Sequence, residues 1–146
     1  QFIGNQQMGW KVAWSDRMVS MYTTLFISGL FYGVFRNQWK PLRLRTFFLL
    51  LLPMAIDGTT HALSDLAGIG QGFRDTNIWL QILTNHSLLI SFYEGDMLGS
   101  FNSWMRLVTG VLFGIAVIGL AFPYINEFFT DVVLSREKTL AKGKRQ

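Results

Sequence analysis

The sequence contains no cysteine, which excludes disulfides, thiolate metal sites and cysteine nucleophiles within these residues. Charge is scarce as well: Asp, Glu, Lys and Arg make up 15% of the chain, against roughly 25% in an average soluble domain. Proline occurs three times, so few positions are barred from helix. No phosphate loop is present, and no nucleophile stands at a readable spacing from a base. Gly68-Ile-Gly-Gln-Gly72 does not sit between a strand and a helix and is no dinucleotide fingerprint. These absences leave no catalytic residue to name, point away from an enzyme and identify no cofactor.

What remains is apolar. Half of the 146 residues are hydrophobic, and residues 18–35 and 107–125 carry no charge at all. Each stretch reaches the ~18 residues that a helix needs to span a ~30 Å hydrocarbon core. Residues 46–56 are apolar over too short a run to span alone, but continuing through Asp57 and His61 to residue 63 completes a crossing. A hairpin at Asp57 would leave backbone groups unpaired in lipid. The expected fold is an all-α membrane protein with three transmembrane helices, at 18–35, 46–63 and 104–129. An external lead-in occupies residues 1–17, and an outer loop residues 64–103. Within that loop, residues 77–92 read as an interfacial helix with Ile78, Trp79, Ile82, Leu83, Leu89 and Ile90 on its apolar face. Residues 130–146 read as a basic cytoplasmic tail, short and frayed from Arg136 to Gln146. Trp10 and Trp14, ahead of the first span, fit an interfacial aromatic belt. The chain begins with Gln1, so the true N-terminus is expected to lie upstream.

The basic residues are distributed by side. Arg36, Lys40, Arg43 and Arg45 lie in the turn after the first span, and Arg136, Lys138, Lys142, Lys144 and Arg145 in the tail. Three crossings place these nine together and leave only Lys11, Arg17, Arg74 and Arg106 opposite. The positive-inside rule makes the nine-cation side cytoplasmic, with the N-terminus and long loop outside a cell inner (plasma) membrane. The pI near 9.7 therefore reflects topology, and no nucleic-acid partner is expected.

Glycines four apart, Gly29 with Gly33 and Gly110 with Gly114, offer flat strips for close helix packing, either within the chain or against another subunit. Asp57 lies ~18 Å along its helix from Arg45 at ~1.5 Å per residue, inside the hydrocarbon, where a carboxylate is expensive unless paired. His61 and Asp65 follow at one-turn spacing, Arg106 opens the third span at the same level, and Asp16 and Arg17 open the first. The expectation is a buried polar network of Asp16, Arg17, Asp57, His61 and Arg106, with Asp57 facing Arg106. Three roles stay open for it: an ion-pair lock between helices, a proton or ion path, and a metal site through Asp57, His61 and a third ligand. His61 or His86 could also ligate a haem or chlorophyll.

Three segments, Ala13-Trp-Ser-Asp-Arg17 with Tyr22, Leu52-Pro-Met-Ala-Ile-Asp-Gly58 and Met105-Arg-Leu-Val-Thr-Gly110, carry a resemblance covering most of the chain. In them the sequence resembles domain of unknown function 2085, a family of bacterial membrane proteins. The loop from Arg74-Asp-Thr-Asn77 to Gly99-Ser-Phe-Asn-Ser103 looks like the longer-loop version found in filamentous green bacteria. Members commonly carry an upstream Cys-His-Gln motif and a cysteine where Ser15 stands here, and often glutamine where His61 stands. The resemblance implies a membrane protein and brings no activity with it. The expected function is a non-catalytic accessory or structural subunit of a larger membrane complex, respiratory or photosynthetic electron transport being the setting. Its partners are then the lipid bilayer and other transmembrane subunits. The alternative is a membrane-embedded metal- or proton-handling protein using Asp57, His61 and Arg106.

Overall fold

A computed structural model describes residues 4–5, 9–10, 14–68 and 71–143. Two strands of two residues each, β1 (Gly4–Asn5) and β2 (Gly9–Trp10), pair antiparallel ahead of the first helix. The rest of the described residues form helices and their connections: α1 (Asp16–Phe35), α2 (Leu44–Asp65), α3 (Phe73–Thr76), α4 (Ile78–Leu83), α5 (Ile90–Tyr93) and α6 (Phe101–Gly143). Three of these, α1, α2 and α6, are long and apolar enough to cross a membrane. The chain is an all-α membrane protein. Lys11, Lys144 and Arg145 lie outside the described residues.

The helix starts follow from local chemistry. Ser15 caps α1, its side chain accepting from Met18 N at 3.3 Å, and Asp16 places a carboxylate in the first turn, where the helix dipole favours it. At α6 the cap is Ser100, whose Oγ accepts from Ser103 N at 3.3 Å. The span therefore begins at Phe101, ahead of the expected 104, because the hydroxyl of Ser103 and the amide of Asn102 are engaged elsewhere. Inside α2, Thr59 and Thr60 turn their hydroxyls back onto Ala55 O and Ile56 O, each at 2.7 Å. The exposed Thr59 is thereby satisfied without a partner from another element.

Helix α6 is the centre of the bundle. Both α1 and α2 pack on it, and 39% of its spanning window is buried against 11% for α1 and 6% for α2, so the outer surfaces of those two helices meet lipid. Contact with α1 depends on glycine. A Cβ at Gly110 would fall 2.0 Å from Ser20 Oγ and 2.7 Å from Arg17 O, and one at Gly114 would fall 2.8 Å from Thr24 Cβ. The other pair is used differently: Gly29 sits at ordinary distance from Phe122, and Gly33 faces open space. At the far end, Pro123 has no N–H to donate to Gly119 O. Leu42 N, in the connection between α1 and α2, takes that carbonyl at 2.9 Å. Tyr32 packs edge-on against Phe122 there, with centroids 5.5 Å apart.

Two expected elements take another form. Residues 77–92 are not one interfacial helix: α4 ends at Leu83, Asn85 and His86 adopt left-handed conformations with φ of 51° and 54°, and helix resumes only at Ile90. Two consecutive residues in that region cannot continue a right-handed helix. The third span does not stop at 129 in a frayed tail either. It continues to Gly143, 43 residues in all, or ~65 Å at ~1.5 Å per residue. Leu134, Arg136, Glu137, Lys138 and Leu140 are good helix formers, and Pro123 is tolerated because Leu42 supplies the donor that the missing bond leaves wanting.

Candidate functional site

The polar interior is built by the loop folding back onto the end of α2. Gly72 makes this possible, since a Cβ there would lie 2.0 Å from Ser64 Oγ and 2.4 Å from Ser64 O. With the backbones this close, Ser64 Oγ accepts from Arg74 N at 3.0 Å, and Asp75 Oδ2 accepts from Gly72 N at 2.7 Å. The first turn of α3 is thus capped from two sides, and the Arg74 side chain enters the bundle.

Asp57 is 2% exposed. Its Oδ2 is ion-paired with Arg17 Nη2 of α1, and its Oδ1 lies 2.6 Å from Arg74 Nη1. Arg74, 6% exposed, also donates from Nη1 to Asp57 O at 2.8 Å and to Thr60 Oγ1 at 3.0 Å. Its Nε and Nη2 both point at Asn102 Oδ1, at 3.3 and 3.2 Å. One carboxylate therefore joins α1, α2 and α3, and Asn102 adds α6. A buried charge at this depth requires such partners, because each unpaired one carries a desolvation cost of several kcal/mol.

Buried amides complete the brace. Asn77 stands at a left-handed position, φ 44°, which asparagine tolerates. Its Nδ2 donates to Arg74 O and Tyr93 O, each at 2.7 Å. Asn102 Nδ2 donates to Arg74 O at 2.7 Å and Gly95 O at 3.1 Å. The Tyr93 hydroxyl meets Thr84 Oγ1 and accepts from Leu88 N at 3.1 Å. Carbonyls of a loop below the surface must find donors, and these side chains supply them.

The residues expected in one network fall into separate groups. Arg17 and Asp57 belong to the centre just described. Arg106 does not pair with Asp57: its Nη2 lies 2.9 Å from Asp96 Oδ2 and donates to His61 Nε2 at 2.9 Å. His61 Nε2 is also 3.6 Å from Asp65 Oδ2. Asp16 accepts from Ser103 Oγ at 2.6 Å. The expected Asp57–Arg106 pair fails because Arg74, counted in the sequence only as an outer-loop cation, already occupies the carboxylate. Residue-by-residue reading also missed Asn77, Asn102 and Tyr93. The available signal was charge balance, since a carboxylate in mid-helix needs a cation and Arg74 follows Gly72, a residue that permits close approach. Asp57 and His61 do not share a site, and no three His, Asp or Glu side chains group in metal-binding fashion among the described residues. The acids and bases here hold one another, and the arrangement joins elements.

A protein-family profile matches residues 6–120 and is described as a predicted membrane protein, domain of unknown function 2085. The chain belongs to this family. The match takes in α1, α2, the whole loop with its charged centre, and α6 as far as the turn before Pro123, so the Asp57 brace lies within the family region and the long extension of α6 beyond it. No curated protein and no solved structure matches the chain.

Proposed function

We propose that this chain is a non-catalytic structural subunit of a larger membrane complex. The observation that carries the reading is where its polar and apolar groups are placed. Asp57 is ion-paired with Arg17 and Arg74 in the buried centre, and Arg106 pairs with Asp96 and His61 nearer the loop surface. The outer faces of α1 and α2 carry large apolar side chains such as Phe26, Phe31, Phe48 and Leu52. A rigid interior with an extensive apolar exterior suits a scaffold that other transmembrane helices pack against, and small residues left open on that exterior, such as Gly33, allow close approach. Electron transport in the cell inner membrane is the setting we assign, with the loop outside and the end of α6 in the cytoplasm.

Purification of the full chain from its native membrane in mild detergent tests this reading. A co-migrating complex of fixed stoichiometry is expected, with haem or pigment absorbance if the setting is right. A lone monomer in native mass spectrometry would overturn the subunit reading. Orientation is checked separately: a reporter fused after Gln146 should be cytoplasmic and one inserted at Leu98, which is 83% exposed, external.

A further inference from the structure

Past Pro123, helix α6 leaves the rest of the chain behind. From Phe101 to Pro123 it rises ~33 Å at ~1.5 Å per residue, enough to cross a ~30 Å hydrocarbon core. The connection between α1 and α2 sits at the far end of that rise, where Tyr32 meets Phe122 and Leu42 meets Gly119. The stretch up to Gly143 then adds ~30 Å with no break in the helix. Every side chain described there, from Tyr124 to Ala141, is exposed, including the large apolar Ile125, Phe128, Phe129 and Val132. A helix in water owes most of its stability to the packing of an apolar face. Outside the bilayer, moreover, the hydrophobic effect draws such faces together, as it does not within lipid. This segment needs a partner helix.

The residues select the partner. Ile125, Phe128 and Val132 follow one another at alternating steps of three and four, and Ser135 and Thr139 continue the series, the spacing of a two-stranded coil seam. The hydroxyls at the last two positions are already satisfied by Val132 O and Ser135 O, at 2.8 and 3.0 Å, so they bring no unmet polar group into the seam. In a parallel pair, the residue before the seam on one helix faces the residue after it, one heptad on, in the other. Between identical helices those pairs are Tyr124 with Phe129 and Asp131 with Arg136, aromatic on aromatic and acid on base. Among the described residues neither Asp131 nor Arg136 has an ion-pair partner within the chain, and two-fold symmetry forms the pair twice. The adjacent register, through Phe129, Val132 and Arg136, would set two arginines against each other. A second copy also meets the requirement of position: inserted the same way, its α6 emerges at the same level with the same face. To lie on the membrane surface instead, the segment would have to turn sharply at Pro123, whereas α6 continues through it.

We propose that two copies of this chain pair in parallel through the part of α6 beyond Pro123, with Ile125, Phe128 and Val132 in the seam and Asp131 of each copy against Arg136 of the other. The pairing stands whether or not other subunits join a complex.

The chain has no cysteine, so single-cysteine variants of the full chain, oxidised in reconstituted bilayers, report the contact directly. Phe128→Cys, Val132→Cys and Ser135→Cys should each give a disulfide-linked dimer. Thr130→Cys and Glu137→Cys, on the opposite side of the helix, should stay monomeric, because a disulfide needs Cα atoms within ~7 Å. Asp131→Arg places like charges across the seam and should lower the yield of the Val132→Cys dimer roughly twofold to fivefold, the range set by exposed ion pairs. Adding Arg136→Asp should restore it. No dimer at any position, or equal yields all around the helix, would overturn the pairing. A Val132→Cys yield indifferent to both charge changes would overturn the register.

Discussion

The two ends of the bundle are held by different physics. At the loop end, α1, α2, α3 and α6 meet through Asp57, its two arginines and the Asn102 amide, all buried or partly so. At the other end the contacts are neutral: Leu42 N on Gly119 O, and Tyr32 against Phe122 and Trp39. In lipid the hydrophobic effect does not draw helices together, so specific contacts must. Losing one member of a buried ion pair typically costs ~3–5 kcal/mol, whereas a neutral hydrogen bond or an aromatic pair contributes about 0.5–1.5 kcal/mol. The comparison teaches that the loop is a structural element of the bundle, and that breaking one of its charged contacts costs more than breaking a neutral contact at the opposite end.

The largest effect should therefore come from the loop. Arg74→Ala leaves Asp57 half-paired and removes the donors to Thr60 and Asn102. It should destabilise the chain by ~3–5 kcal/mol in SDS titration from mixed micelles, with α3 to α5 losing hydrogen-exchange protection together. Next comes the glycine seam. Gly110→Leu drives a side chain into Ser20 and the backbone of Arg17 and should cost at least ~1–3 kcal/mol. Gly33→Leu, where nothing stands within 4 Å, should stay within about 0.5 kcal/mol in the isolated chain. Equal costs for the two would mean that α1 does not seat on α6 through Gly110. The smallest effect is at the neutral end. Pro123→Ala restores an N–H that competes with Leu42 for Gly119 O, and should shift stability by less than about 1.5 kcal/mol while raising exchange at Leu42.

The three spans were legible because a membrane crossing is a local property: length and apolarity suffice, and both are written in consecutive residues. The burial need of Asp57 was legible for the same reason, since its neighbours in sequence are apolar. Its partner was not. Arg74 reaches the carboxylate only because Gly72 lets the loop close on Ser64 and because Asn102, a full loop later, holds the guanidinium from behind. That geometry depends on contacts 10 and 28 residues apart, which spacing along one helix cannot express. Arg106 looked the better partner because it shares a level in the bundle with Asp57, but level does not choose between two cations. Residues 77–92 misled for a related reason. Their apolar spacing fits a helix, yet Tyr93 and Asn77 fold the segment onto itself through Thr84, Leu88 and Tyr93 O, and the left-handed turn at Asn85 and His86 follows. The extension of α6 was hidden by its charges, which read as a tail although most of the same residues favour helix.

The central claim is that Asp57 couples to Arg74 and not to Arg106. Two double-mutant cycles in the full chain test it, Asp57→Asn with Arg74→Gln and Asp57→Asn with Arg106→Gln, each read as free energy of unfolding in mixed micelles. The account predicts a coupling above ~1 kcal/mol for the first cycle, and additivity within ~0.5 kcal/mol for the second, where the side chains share no partner. A strong coupling to Arg106 together with additivity at Arg74 would contradict it.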